Sequence, residues 1–186
     1  MSANLIQTIK KNLGYAELKK IDPNTQQPIA DGKEEDKLNQ AAIPAVLIVI
    51  YKFTRTDEGA QQVMTSSLTN DWLNMMLGDD TADAIIKVSG YSGVSEVNAA
   101  ERMELIAKQA VGVIREANPL SVKDVKNIVA AERNNILLYL PPSLHMGDLL
   151  HDNTLDDNIT KMQGPVSSIV NAIGNVFAGS EKGKDD

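Results

Sequence analysis

The side chains best suited to chemistry are the two histidines, His145 and His151, with Asp148 between them. Imidazole and carboxylate groups are common ligands of divalent metals, and a bound metal can activate water for hydrolysis. On a helix Asp148 would lie beside each histidine, but a spacing of six residues does not place the histidines on one face. The pattern favours a polar helix end, and it leaves open a metal-dependent hydrolase that uses His145, Asp148 and His151.

Motifs for other enzymatic chemistry are absent from the sequence. The chain has no cysteine, which excludes thiolate metal sites, disulfides and thiol nucleophiles. It has no Gly-x-Ser-x-Gly elbow, and the Gly90-Tyr91-Ser92-Gly93 run lacks the lysine of a phosphate-binding loop. The acidic stretch 152–158 lacks the glycine and closing glutamate of a calcium loop. The sequence therefore favours a protein that is not an enzyme and needs no cofactor.

A hydrophobic ligand site is a further hypothesis, because Trp72, Met75 and Met76 could line a groove that adapts to its occupant. The same residues continue a helical stripe that begins at Val63 and Met64, which is more typical of core packing. A bundle that binds a small molecule or a lipid between its long helices is therefore the main alternative function.

Charge and hydropathy limit the partners. The net charge is -7 and the pI is about 4.9, so the long-range field repels nucleic acids. The longest uncharged apolar stretch, 38–51, is too short to cross a bilayer and contains Pro44. The N-terminal residues alternate apolar and polar types and lack the apolar run of a signal peptide. We expect a soluble, cytoplasmic protein with no transmembrane segment and no nucleic-acid partner.

Apolar residues recur at helical spacing along most of the chain, with Ser, Thr or Asp at helix starts and Gly or Pro at helix ends. The fold expected is all-α, a multi-helix bundle. A proline-containing loop is predicted at 22–32, after a short piece at 15–21. The helices are predicted at 3–13, 33–54, 57–77, 82–89, 96–117, 122–140 and 142–150.

Two segments of the chain resemble each other. Residues 9–15 align with residues 85–91, and each segment ends in a Gly-Tyr pair, Gly14-Tyr15 and Gly90-Tyr91. One interpretation is that the bundle consists of two half-repeats, each with a short helix, a Gly-Tyr turn and a long core helix. The other is chance similarity between two amphipathic segments.

The composition changes after His151. We predict a bundle domain at 1–151, an acidic linker at 152–161, a tail helix at 162–180 without any charged residue, and a disordered end at 181–186. An amphipathic helix with an uncharged polar face needs a surface to cover its apolar side. The tail therefore predicts self-association or a protein partner. The apolar residues of the tail are Val166, Ile169, Val170, Ile173 and Phe177.

Three motifs occur in an order that resembles one known family. They are Ala41-Ala42-Ile43-Pro44-Ala45-Val46-Leu47, Thr56-Asp57-Glu58-Gly59-Ala60 and Leu140-Pro141-Pro142-Ser143-Leu144. Over roughly 37–150 the chain resembles the YidB-like family of bacterial helical proteins, whose function is unknown, although Asp57 stands where that pattern often has proline. The resemblance implies an all-α bundle and a bacterial source, and it carries over no catalytic residue. The leading hypothesis is a non-enzymatic helical interaction or scaffold module.

Overall fold

The computed structural model describes residues 4–21, 33–69 and 71–155, which form helices and contain no strand. The prediction of an all-α bundle is confirmed. Short 3-10 turns occupy Gly78–Asp80, Pro142–Leu144 and Asn153–Leu155. The α-helices are α1 (Leu5–Leu13), α2 (Glu34–Phe53), α3 (Asp57–Thr65), α4 (Trp72–Leu77), α5 (Thr81–Ser92), α6 (Glu96–Glu116), α7 (Val122–Leu137) and α8 (Met146–Leu149).

Helix α2 is the centre of the bundle. Every residue from 38 to 50 is buried, and α2 packs against α4, α5, α6 and α7. A helix with apolar residues on all sides is stable only when other helices surround it. Pro44 lies inside α2, and the helix continues past it to Phe53 rather than restarting. None of the helices in the described part of the chain is both long and apolar enough to cross a membrane.

The single helix predicted over 57–77 is wrong, because the structure divides it into α3 and α4. Both facing ends are capped by side chains of α6. Arg115 donates from Nε to the carbonyl of Val63 at 2.6 Å and from Nη2 to the carbonyl of Ser66 at 2.5 Å. Glu104 accepts the first free N–H groups of α4. A cation at a helix C-terminus and an anion at a helix N-terminus both interact favourably with the helix dipole. Arg115 and Glu104 of α6 therefore stabilise the break.

The Gly-Tyr turn predicted for the second half of the chain is also wrong. Gly14 ends α1 in the left-handed conformation, at φ 68°. Gly90 lies inside α5, which continues to Ser92 and ends at Gly93 with φ 82°. The half-repeat prediction therefore loses the structural feature that the two segments were expected to share.

The segment 15–21 forms no helix and is held in place by Gln40, a buried residue of α2. The Gln40 amide accepts the N–H of Lys19 at 2.8 Å and donates to the carbonyls of Lys19 and Tyr139. The N–H of Ile21 also donates to the carbonyl of Leu138 at 2.8 Å. One buried amide thus joins two irregular segments to the central helix. Helix α7 ends at Leu137, before the predicted end at 140.

The last described segment packs on the bundle through Leu155, which is 2% exposed, so the packed region extends beyond the boundary predicted at 151. The helix predicted over 142–150 is divided at His145, which has φ 46°. The predicted tail helix, 162–180, lies outside the described residues, as does all of the predicted linker after Leu155.

Candidate interaction surfaces

The predicted metal ligands do not form one site. Nδ1 of His145 lies 3.9 Å from Oδ2 of Asp148, and these two side chains are 64% and 74% exposed. His151 is exposed and adopts φ 50°. Nowhere in 4–21, 33–69 or 71–155 do three His, Cys, Asp or Glu side chains converge in a way that could hold a metal ion. The geometry gives no support to metal-dependent hydrolysis by His145, Asp148 and His151.

Trp72, Met75 and Met76 belong to the core and its edge. Trp72 is fully buried, while Met75 and Met76 are half-buried and pack against the core. The guanidinium of Arg115 lies 5.9 Å from the centroid of the indole ring, within the range of a cation-π contact. The Trp72 Nε1 has no hydrogen-bond partner among the described residues. This environment is that of a packing anchor for α4.

The carboxylates of Glu104 and Glu132 accept backbone N–H groups at helix N-termini. Glu104 accepts the N–H of Trp72 at 3.0 Å and that of Leu73 at 2.9 Å, and it pairs with Lys108 at 3.2 Å. The buried Glu132 of α7 accepts the N–H of Leu5 at the start of α1 at 3.3 Å. The free N–H groups of a helix N-terminus attract anions, which explains both carboxylates without any catalytic role.

A surface groove of about 500 Å³ lies between the N-terminal halves of α2 and α6. Its apolar wall consists of Leu38, which is buried, Val94, which is half-buried, and Leu105, which is 46% exposed. Three exposed carboxylates, Glu34, Glu35 and Glu101, line the same groove. Trp72, Met75 and Met76 do not line it.

Arg102 is the cation of the groove, and other residues of the chain already bind it. Its Nη1 donates to Oδ1 of Asn39, its Nη2 lies 3.3 Å from Oε1 of Glu35, and its guanidinium lies 4.6 Å from the Tyr15 ring centroid. Burial raises the pKa of Tyr15; Arg102 opposes this rise and Glu35 adds to it. Arg102 therefore joins α6 to α2 and to the segment after α1.

Asp152 holds the last described segment against the opposite end of α2. Its side chain is 8% exposed, and Oδ2 lies 3.1 Å from Nη1 of Arg55 and 3.7 Å from Nζ of Lys52. Oδ1 accepts the Thr154 hydroxyl at 2.6 Å. This hydrogen bond, with the two cations, holds the pKa of Asp152 below its ordinary value despite partial burial. Arg133 of α7 adds a bond to the carbonyl of Thr154 at 2.9 Å.

Sequence reasoning missed both the groove and the Asp152 cluster. Asp152 is the first residue of the predicted acidic linker, and Glu34 and Glu35 belong to no predicted site. A signal for the groove was present, because Val97, Glu101 and Leu105 recur every four residues on α6. The predicted interaction residues Val166, Ile169, Val170, Ile173 and Phe177 lie outside the described residues.

Comparison with known proteins gives no relative from which a role could be taken. No protein-family model matches the chain, and neither a curated protein nor a solved structure gives a significant match. The resemblance to the YidB-like family is not tested by these comparisons and stays a prediction.

Proposed function

We propose that the chain is a non-enzymatic interaction or scaffold module, in which the helical bundle carries residues 162–180 as a binding segment. The supporting observation is the attachment of the chain at its last described residues. Asp152 contacts Lys52 and Arg55 at the end of α2, and Leu155 is 2% exposed. The residues after Leu155 therefore continue from a residue that is itself packed on the bundle.

The roles of the ionisable groups support a non-enzymatic function. Glu104, Glu132 and Arg115 cap helices, while Arg102 and Asp152 join segments of the bundle. Catalytic groups typically keep a reactive atom free for the substrate, whereas the side chains of these residues are bonded to groups of their own chain. The YidB-like relationship, a bacterial source and a cytoplasmic location belong to the same proposal, on the grounds of the sequence motifs and the composition.

Measuring the mass of the full chain in solution tests the proposal, by light scattering over a range of concentrations. We expect self-association that is lost when residues 162–186 are deleted, because the apolar face of the segment would then be removed. A protein partner in place of a second copy would instead be captured by the full chain and not by the deletion variant.

A matched pair of variants separates the apolar face from nonspecific effects of charge. I169D with I173D places two carboxylates on the apolar face of the predicted helix, and S168D with N171D places two on its polar face. We expect only the first pair to abolish association or capture. A monomeric full chain that also captures no partner through residues 162–180 would refute the proposal.

A further inference from the structure

We propose that the groove between α2 and α6 binds a cationic amphipathic helix of a partner protein. This surface is distinct from residues 162–180, so the inference does not depend on that segment. It follows from an apolar ridge, from uncompensated carboxylates beside the ridge, and from the separation of those carboxylates.

The apolar ridge runs along the solvent-facing side of α6. Val97 is 66% exposed and Leu105 is 46% exposed, with Glu101 between them. Residues four apart share one helix face, so the two apolar side chains lie about two turns, or about 12 Å, apart with the Glu101 carboxylate between them; Leu105 lines the groove and Val97 lies beside it on the same face. Leu105 and Val94 form the accessible apolar part of the groove wall, and the buried Leu38 of α2 lines the groove behind them. A ridge of this length matches two turns of a helix that presents aliphatic residues at spacings of three and four.

The carboxylates give the groove an excess of negative charge. Glu35 is paired with Arg102, whereas the carboxylates of Glu34 and Glu101 form no hydrogen bond or ion pair among the described residues. The dipole of α2 explains Glu34, which lies in the first turn of that helix. Glu101 lies beyond the first turn of α6, where the dipole has little effect. Like charges gathered beside an apolar wall repel one another, and cations of a partner would remove this repulsion.

The spacing of the carboxylates argues for several separate cations and against a single ion. Within the part of the chain that the structure describes, Glu34, Glu35 and Glu101 do not converge into a group that could hold a metal. Lysine or arginine side chains on successive turns of a helix can each reach a different carboxylate. Their aliphatic neighbours can cover Leu105 and Val94. The proposed occupant is therefore a helix with Lys or Arg beside an apolar stripe.

The experiment uses the full chain and a synthetic probe peptide of about four helical turns, built from leucine, lysine and alanine. Fluorescence anisotropy of the labelled peptide gives the affinity, and amide NMR spectra of the nitrogen-labelled protein locate the contact. We expect shifts at residues 34–38 and 94–105, and an affinity that falls as salt is added. A peptide with glutamate in place of lysine should not bind.

Two matched pairs of variants test the charges and the apolar wall separately. E34Q with E101Q should weaken binding by about three- to tenfold, whereas E58Q with E116Q removes the same charge elsewhere and should have little effect. Glu58 matches Glu34 as an exposed first-turn residue, and Glu116 matches Glu101 as an exposed residue of α6. L105A should weaken binding by about fivefold.

L138A is the control for L105A, because Leu138 is equally exposed, at 47% against 46%. An equal loss in both carboxylate pairs, or shifts spread over the whole surface, would mean nonspecific attraction to an acidic protein and would overturn the inference. The inference would also fail if deletion of residues 162–186 shifted the groove amides in the absence of peptide, because the chain's own tail would then be the occupant.

Discussion

The charged side chains at the two ends of α2 have different surroundings. At the C-terminal end Lys52 and Arg55, which are 37% and 57% exposed, share the carboxylate of Asp152, which is 8% exposed. At the N-terminal end Glu34 and Glu35 face a groove. An ionic cluster covered by its own chain stabilises the fold, whereas charges left beside an open apolar wall are available to a partner. The charges at the closed end are therefore expected to affect stability, and those at the open end to affect binding.

The largest effect on stability is expected just inside the open end, at Gln40. Q40A removes the amide that bonds Lys19 and Tyr139, and it leaves the buried carbonyl of Tyr139 and the partly buried backbone groups of Lys19 without these partners. Unsatisfied buried groups cost about 1–3 kcal/mol each, so we expect the free energy of unfolding to fall by about 2–4 kcal/mol. Chemical denaturation measures this loss. Q61A, at an exposed glutamine of α3, is the control and should change stability by less than about 0.5 kcal/mol.

At the closed end, D152N keeps the shape of the side chain but removes the charge that Arg55 and Lys52 share. We expect a loss of about 1–2 kcal/mol in the free energy of unfolding, because the carboxylate is 8% exposed and also accepts the Thr154 hydroxyl, while the 57% exposure of Arg55 keeps the ion pair itself weak. D148N, at a carboxylate that is 74% exposed in the same segment, should cost less than about 0.5 kcal/mol. Equal effects of the two substitutions would contradict the distinction between a covered and an open charge.

The same carboxylate predicts a dependence on pH. The pKa of Asp152 lies below its ordinary value of 3.8 in the folded chain, so its ionised form stabilises the fold at higher pH. That contribution is lost as the pH falls below 3.8 through the folded pKa. The difference in unfolding free energy between the wild type and D152N should therefore be constant near neutral pH and shrink in acid. A difference that grows on acidification would reverse the sign and refute this role of Asp152.

A smaller effect is expected between the two ends, where α6 caps α4. E104Q keeps a hydrogen-bonding oxygen for Trp72 and Leu73 but removes the charge at the helix N-terminus, so we expect a loss of about 1 kcal/mol. Faster exchange of the Trp72 and Leu73 amides should accompany it. E101Q, on the same helix, should leave both the stability and the exchange unchanged.

The division between α3 and α4 shows what local sequence patterns can and cannot predict. Local signals predicted most of the helices, and the pattern of Ser or Thr at helix starts is confirmed at Thr56, Ser95 and Ser121, each of which accepts a backbone N–H from the first turn of its helix. The break was missed because Val63 to Met76 has an unbroken helical period, while the groups that stabilise the break lie on α6. Glu104 lies 32 residues from Trp72 in sequence.

The candidate sites were missed for the same physical reason. In the sequence, Asp152 is one of several acidic residues of the predicted linker. Only the fold brings Lys52 and Arg55 beside it, because Arg55 lies 97 positions earlier in the chain. In the sequence, Glu101 and Leu105 resemble ordinary surface residues. Only the packing of α2 against α6 shows that they line a groove. Periodicity indicates which side of a helix is apolar, but only the packing of the helices decides which exposed side chains share a groove.

The smallest change in the free energy of unfolding is expected at the open end, for a substitution of Leu105. Comparing this change with that of D152N distinguishes the two ends. Leu105 is 46% exposed, so L105A should change the free energy of unfolding by less than about 0.5 kcal/mol, as should L138A. A side chain with this exposure contributes little to the core, and its remaining role is on the surface. Thermal and chemical denaturation of both variants measure the change. If L105A destabilised the chain as much as D152N does, Leu105 would be a packing residue and the groove would be part of the closed bundle.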